Sequence, residues 1–185
     1  MGPELVVPVL AAGPFTLRPF AMSDLGLVGE AAQDPYIPLV TTVPAQPTVD
    51  GGRAFIERQW GRARSGQGYS LAIADAATGR AVGQIGLWLR NTGEGRASIG
   101  YWVTPSARGR RAASHALAAM VGWAFTGLRI PRLELYIEPW NEVSIRTAER
   151  AGFQREGLLR EWQEIGGRRT DMLLYALLPA DLLVM

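Results

Sequence analysis

The sequence predicts an α/β fold, one mixed β-sheet with helices on both faces. Three observations carry this. Residues 69–75, 81–90 and 97–104 are strand-like segments linked only by short turn-forming stretches, the pattern of an antiparallel meander. Directly after them, Ala113, Ala116, Leu117, Met120, Val121 and Ala124 recur at steps of three, one, three, one and three, the buried stripe of a helix. From there to residue 177 the pattern runs strand, helix, strand, strand, so the later elements join the same sheet.

Taken in order, residues 15–20 read as a short strand, and Ser23-Asp24 as a helix start followed by Leu25 and Val28 at helical spacing. Residues 35–47 hold four prolines among apolar side chains, which excludes a regular helix and predicts a loop of the kind that lines a substrate pocket. From Val49 an amphipathic helix gathers Phe55, Ile56, Trp60 and Ala63 on one side and ends near Ser65-Gly66. Ala77-Thr78-Gly79-Arg80 and residues 92–95 form the turns of the meander. The alanine content of the next helix predicts that it lies close to the sheet. Residues 132–138 alternate, with Leu133, Leu135 and Ile137 on one face and Glu134, Tyr136 and Glu138 on the other. A helix over 141–151 stops at Gly152, and strands 153–164 and 169–177 flank the turn Ile165-Gly166-Gly167.

With 185 residues, the chain has the length of one ordinary domain. It has no cysteine and a single histidine, His115, which excludes thiol nucleophiles and zinc clusters, leaves no metal site to expect, and argues against a Ser-His-Asp triad. All 19 basic residues are arginine, yet the formal charge is only +2, too small for a nucleic-acid-binding arm. No apolar run reaches the roughly 18 residues of a membrane span. The first ten residues lack a basic leader region, so a soluble cytoplasmic protein is expected.

The most informative stretch is Trp102-Val103-Thr104-Pro105-Ser106-Ala107-Arg108-Gly109-Arg110-Arg111-Ala112-Ala113, a strand that turns through a glycine and arginines into a helix. A helix start presents unpaired N–H groups and partial positive charge to an anion such as a pyrophosphate, Gly109 permits close backbone approach, and the arginines add charge. Read alone, Arg108, Arg110 and Arg111 are equally a solvated basic turn.

This turn resembles the acyl-coenzyme A motif of the GNAT acetyltransferases. Further segments resemble the RimJ/RimL branch in matching order: Leu17-Arg18-Pro19 with Asp24, Val82-Gly83-Gln84-Ile85-Gly86, Ile99-Gly100-Tyr101-Trp102-Val103, Asn141-Glu142-Val143-Ser144, and Gly152-Phe153 with Glu156-Gly157. The resemblance implies a single GNAT-like domain over residues 1–185, with a mainly antiparallel mixed sheet of about six to seven strands. It implies acetyl-CoA as cosubstrate, held by Trp102, Val103, Arg108, Gly109, Arg110, Arg111, Ala112 and Ala113 together with Asn141 and Ser144. The chain departs from the pattern at Ser106 and Arg111, where the turn usually has a long polar residue and a glycine or alanine. If the latter position needs a positive φ, Arg111 is strained.

The reaction that the resemblance implies is direct acetyl transfer to a primary amine in a ternary complex. Backbone N–H groups of Trp102 and Val103 would polarise the thioester carbonyl if the strand splays there. Many relatives protonate the leaving thiolate with a tyrosine four residues before the Gly-Phe pair; Ala148 stands there, which leaves Ser144 as the acid. Asn141 and Ser144 also read as an N-cap and third residue of a helix. The family lines its acceptor pocket with a carboxylate on the strand after the Gly-Phe pair. Gln163 takes that place, so Glu161, Glu164 or a water chain is the expected base. An α-amino group is roughly 10% neutral at pH 7 and a lysine under about 0.1%, so a weak base suffices for an N-terminus.

The acceptor reads as a protein N-terminus or a small-molecule amine, and Pro35, Tyr36, Trp88 and Trp162 suggest a partly apolar pocket. A noncatalytic acyl-CoA-binding module is the alternative that the missing tyrosine and Arg111 allow. The apolar end, residues 182–185, has either its own domain or a second copy to pack on, so a homodimer is compatible with the sequence.

Overall fold

The computed structural model describes residues 5–183. The first residues, and the last two of the apolar end on which a packing role was expected, lie outside the described residues. In chain order the elements are β1 (Leu10–Ala12), β2 (Phe15–Arg18), α1 (Leu25–Ala31), α2 (Ile37–Val40), α3 (Val49–Arg64), β3 (Gly68–Asp75), β4 (Ala81–Trp88), β5 (Ala97–Val103), α4 (Ala112–Thr126), β6 (Leu133–Ile137), α5 (Glu142–Arg150), β7 (Gln154–Ile165) and β8 (Arg168–Leu177). Eight strands form one sheet in the order β1-β2-β3-β4-β5-β6-β8-β7, antiparallel throughout except at β5–β6. The expected six to seven strands become eight because β1 is only three residues long, too short for periodicity to reveal.

Helices cover both faces. On one side, α4 buries Ala116, Leu117, Met120 and Ala124 against Leu71, Ile85 and Leu87 of the meander. On the other, α1 and α3 pack Val28, Phe55 and Ile56 around Ala72 and Trp102. Thr48 caps α3 by accepting from the Gly51 N–H at 3.1 Å, and Asn141 caps α5 by accepting from the Ser144 N–H at 3.1 Å. Among the described residues, no helix is long and apolar enough to cross a membrane.

The proline-rich segment is not wholly irregular, as the sequence suggested. It contains the single turn α2, with Pro38 in that first turn, where the missing N–H has no helical partner to lose. Asp34 starts this turn by accepting from the N–H groups of Tyr36 and Ile37 at 2.8 and 2.9 Å.

One irregularity positions the site. β4 and β5 pair as far as Gly83↔Val103, whereas β5 and β6 pair only at Ala97↔Leu133 and Ser98↔Glu134. Beyond Ser98 the two strands diverge and leave a gap in the middle of the sheet.

Candidate active site

The parity of the β5 hydrogen bonds decides which groups face the gap. The Ala97 N–H donates to Arg132 O in the β6 direction and the Thr104 N–H donates to Val82 O in the β4 direction. Amides alternate along a strand, so those of Tyr101 and Val103 face the gap and that of Trp102 faces β4. The Val103 amide, one of the two expected to polarise the carbonyl, thus faces the gap, and the Trp102 amide is directed away from it. The Trp102 indole lies on the α3 side of the sheet and its Nε1–H donates to Gln84 Oε1 at 2.7 Å.

At the end of β5 the chain turns through Gly109 (φ +81°) and Arg111 (φ +59°) into α4. Arg111 is the N-cap and supplies no side-chain cap. The N–H groups of residues 109–114 accordingly have no acceptor among the described residues. A Cβ built on Gly109 meets nothing within 4 Å, so the space in front of the turn is open. Six unpaired amides at a helix start, two flanking residues in the left-handed region and open space fit a pyrophosphate. Arg111 does occupy the strained conformation that the sequence comparison raised. The other two arginines are tied back to the protein, Arg108 to buried Asp34 at 2.7 Å and Arg110 to Asp75. Burial pushes the Asp34 carboxyl up, but the Ile37 and Tyr36 amides and Arg108 outweigh it and hold it below its ordinary value. His115 packs its ring against Phe15 beneath the turn.

Across the gap, the first turn of α5 presents Asn141 and Ser144. Ala148, at the position of the usual tyrosine, is fully buried. A different phenol comes close: Tyr101, from β5, reaches the Ser144 carbonyl at 3.4 Å. Burial pushes the Tyr101 hydroxyl up to about 12, so it stays protonated at neutral pH. Tyr101 belongs to the Ile99–Val103 motif, but nothing in its sequence neighbourhood signals a contact with α5. Its reach to α5 depends on the divergence of β5 from β6.

A cavity of about 660 Å³ is lined by these groups and continues to the α3 side of the sheet, where Tyr36, Gln84, Trp88 and Glu138 also line it. The Trp88 indole lies over the bare backbone of Gly86; a Cβ there would sit 2.2 Å from the ring. The proline-rich segment covers this end through Tyr36, Leu39 and Thr41, as expected of a pocket-lining loop. Below the floor a buried polar network braces the strands: Ser70 Oγ donates to Gln59 Oε1 at 3.0 Å, and Gln84 Nε2 donates to Ser70 Oγ at 2.7 Å.

The carboxylate in this cavity is not one of those expected. Glu161 and Glu164 are exposed on β7 and do not line it, whereas Gln163 and Ile165 do. The reason is a wide bulge. Between Leu159↔Met172 and Gln163↔Thr170, three residues of β7 oppose Asp171 alone. Asp171 accepts from the Glu161 N–H at 2.7 Å, and Glu161 takes φ +49°, which breaks the strand alternation. Glu164 falls on the opposite face from Gln163. The carboxylate that does line the cavity is Glu138, just beyond β6, 6% exposed and hydrogen-bonded by the Tyr36 hydroxyl. The alternation of residues 132–138 had placed Glu138 on one face, but not on a cavity wall. Of the residues expected to make the pocket apolar, Tyr36 and Trp88 line it, whereas Pro35 and Trp162 do not; Trp162 stacks on the lining residue Tyr136 with centroids 5.9 Å apart.

Residues 15–154 match the acetyltransferase (GNAT) domain model, which takes in the meander, the turn and α5. The chain belongs to the GNAT acetyltransferase family. This GNAT protein is 29% identical over 166 residues to the uncharacterized N-acetyltransferase p20 of Bacillus licheniformis, covering 90% of this chain and 93% of that one. It is 31% identical over 135 residues to the probable N-acetyltransferase YjcK of Bacillus subtilis, covering 72% and 75%. Among solved structures it resembles Mycobacterium smegmatis RimJ in complex with CoA-disulfide, with a TM-score of 0.81 and 28% identity over 95% of this chain and 88% of that one. It also shares its fold with a GNAT-family acetyltransferase from Bacillus anthracis, at a TM-score of 0.78 and 23% identity, covering 92% and 98%. The GNAT enzyme transfers an acetyl group from acetyl-CoA to an amine, and the comparisons do not favour the noncatalytic alternative.

Proposed function

We propose that this GNAT enzyme acetylates a primary amine, a protein N-terminus or a small-molecule amine, by direct transfer within a ternary complex formed in the gap between β5 and β6. The observation that carries the reading is the coincidence of three features at one gap: the uncapped turn of residues 109–114, the first turn of α5, and a cavity leading to a buried carboxylate. The cosubstrate supplies the activated acetyl thioester. The amides of residues 109–114 hold its pyrophosphate, with Arg111 adding charge, and Arg108 and Arg110 stiffen the turn through their ion pairs. Asn141 binds the pantetheine arm, and the Val103 amide donates to the carbonyl oxygen. The Ser144 and Tyr101 hydroxyls donate hydrogen bonds to the departing sulfur. Glu138, in place of Glu161 or Glu164, accepts the proton of the attacking amine, and Tyr36 orients it.

In this reading residues 1–185 act as one cytoplasmic acetyltransferase unit without a nucleic-acid or membrane partner, as a monomer or a homodimer. The test is calorimetric titration of acetyl-CoA into wild type and Gly109→Trp, whose folding is checked by thermal melting, followed by a screen of N-terminal peptides and small amines for acetylation. Saturable binding that the substitution abolishes, with turnover of at least one amine, is the expected result. Absence of wild-type binding overturns the reading.

A further inference from the structure

The acceptor end of the cavity carries a charge pattern that the transfer chemistry does not require. Arg62, on α3, and Arg90, just beyond β4, line it, and Glu138 is the only other charged residue of the lining. Arg62 lies over the Trp88 ring, its Cζ 4.5 Å from the centroid, and donates from Nε to Gln59 Oε1 at 3.1 Å. These two contacts fix the guanidinium in place and leave its terminal nitrogens unassigned. Arg58, one turn earlier on α3, donates to the carbonyl of Thr42, at the edge of the covering segment. Arg62 is held below its ordinary value by burial first, then by the like charges of Arg58 and Arg90. None of the three arginines forms an ion pair among the described residues, although Arg18, Arg108, Arg110 and Arg132 all do. Three neighbouring guanidiniums without a counter-ion, two of them on a cavity wall, repel one another until an anion arrives.

We propose that the amine acceptor of this enzyme carries a carboxylate, bound by Arg62 and Arg90 against the Trp88 floor. The inference rests on the reading of this cavity as the acceptor site and adds the class of acceptor. A guanidinium fixed by a stacking ring and one hydrogen bond presents its remaining donors as a planar fork, which suits a carboxylate. The same wall disfavours acceptors with a second cationic group, such as polyamines or lysine-rich N-termini. Two sources share this chemistry, a small amino acid and a peptide N-terminus followed by an acidic side chain.

The test compares two matched series. The first is 4-aminobutanoate, its amide and 1,4-diaminobutane. The second is C-terminally amidated tetrapeptides beginning Ser-Glu, Ser-Gln and Ser-Lys. Each is assayed for kcat/KM and, independently of turnover, for binding by calorimetry in the presence of coenzyme A. In at least one series the carboxylate member is expected to exceed the neutral one about tenfold and the cationic one more, a preference that shrinks as salt rises; the responding series identifies the source. Arg90→Gln should reduce the preference to under about threefold, and Arg90→Glu should turn it toward the cationic member. Arg62→Met should act like Arg90→Gln, and because Arg90 is exposed, its variants keep the test valid if Arg62→Met fails to fold. Equal or cation-favouring binding and turnover in wild type, or a preference unaltered by the Arg90 variants, overturns the proposal. Preferential carboxylate binding without acetylation of any amine would support the anion site while refuting the acetyl-transfer reading.

Discussion

Asp34 and Arg108 join the two halves of the site. One oxygen of the Asp34 carboxylate accepts from the Tyr36 and Ile37 amides that begin the covering segment, and the other takes Arg108 Nη2 at 2.7 Å from the turn before α4. The segment that covers the cavity and the turn before α4 therefore share one buried anion.

Asp34→Ala should weaken acetyl-CoA binding and raise the acceptor KM together, and destabilise the fold by about 1–3 kcal/mol, since it orphans two amides. Asp34→Asn, which can still accept from the amides, should cost less. The Asp34 carboxyl lies below its ordinary value of 3.8 when folded, so its contribution is present above that pH and lost as pH falls through the folded value. Urea denaturation at pH 7, 5 and 3 should show the wild-type advantage over Asp34→Asn shrinking at the lowest pH; a constant difference would show that the ion pair adds nothing.

Arg111→Gly should stabilise the protein. An arginine at φ +59° carries backbone strain of about 1 kcal/mol that glycine does not, partly offset by the entropy of glycine in the unfolded chain. A gain of about 0.5–1 kcal/mol in chemical denaturation is expected for glycine and none for Arg111→Ala, which keeps the strain. Equal effects of the two would assign the change to the lost charge.

Glu138→Gln should lower kcat about 100-fold while acetyl-CoA binding is retained, and Glu161→Gln and Glu164→Gln should leave kcat within about twofold of wild type. The reverse ranking in steady-state kinetics would return the base to β7.

Tyr101→Phe should lower kcat without moving the pH profile. Burial pushes the hydroxyl up to about 12, so it stays protonated through the neutral assay range and no limb below about pH 10 belongs to it. An alkaline limb near pH 8 or 9 that disappears in the phenylalanine variant would contradict that environment.

Trp102 and Gln84, both on the cavity wall, offer a stability test read without turnover. Gln84→Leu strands the buried indole N–H, removes the donor to Ser70 Oγ, and should cost about 1–3 kcal/mol by thermal denaturation. A neutral result would mean that water replaces the lost partners.

Much of this was legible beforehand, and what was not has a common cause. The stripe of α4, the meander turns and the Arg108–Arg111 turn are local patterns, each complete within a few residues of chain. Whether Trp102 or Val103 offers its amide to the gap depends on which neighbouring strand each faces, a property of the β4 and β6 registers. Similarly, alternation along β7 alone puts Glu161 and Gln163 on one face, and only the pairing with Asp171 shows where that alternation fails. β1 and α2 escaped notice because three or four residues are too few to display a period.

The indole of Trp88 rests on Gly86, and this has a consequence for how the protein can change. The depth of the cavity is set there by a missing methyl group. A single added carbon at position 86 would displace the ring, and Arg62 stacked on it, both of which line the cavity. The size of the cavity can thus change through position 86 alone, with Tyr101, Glu138, Asn141 and Ser144 left as they are.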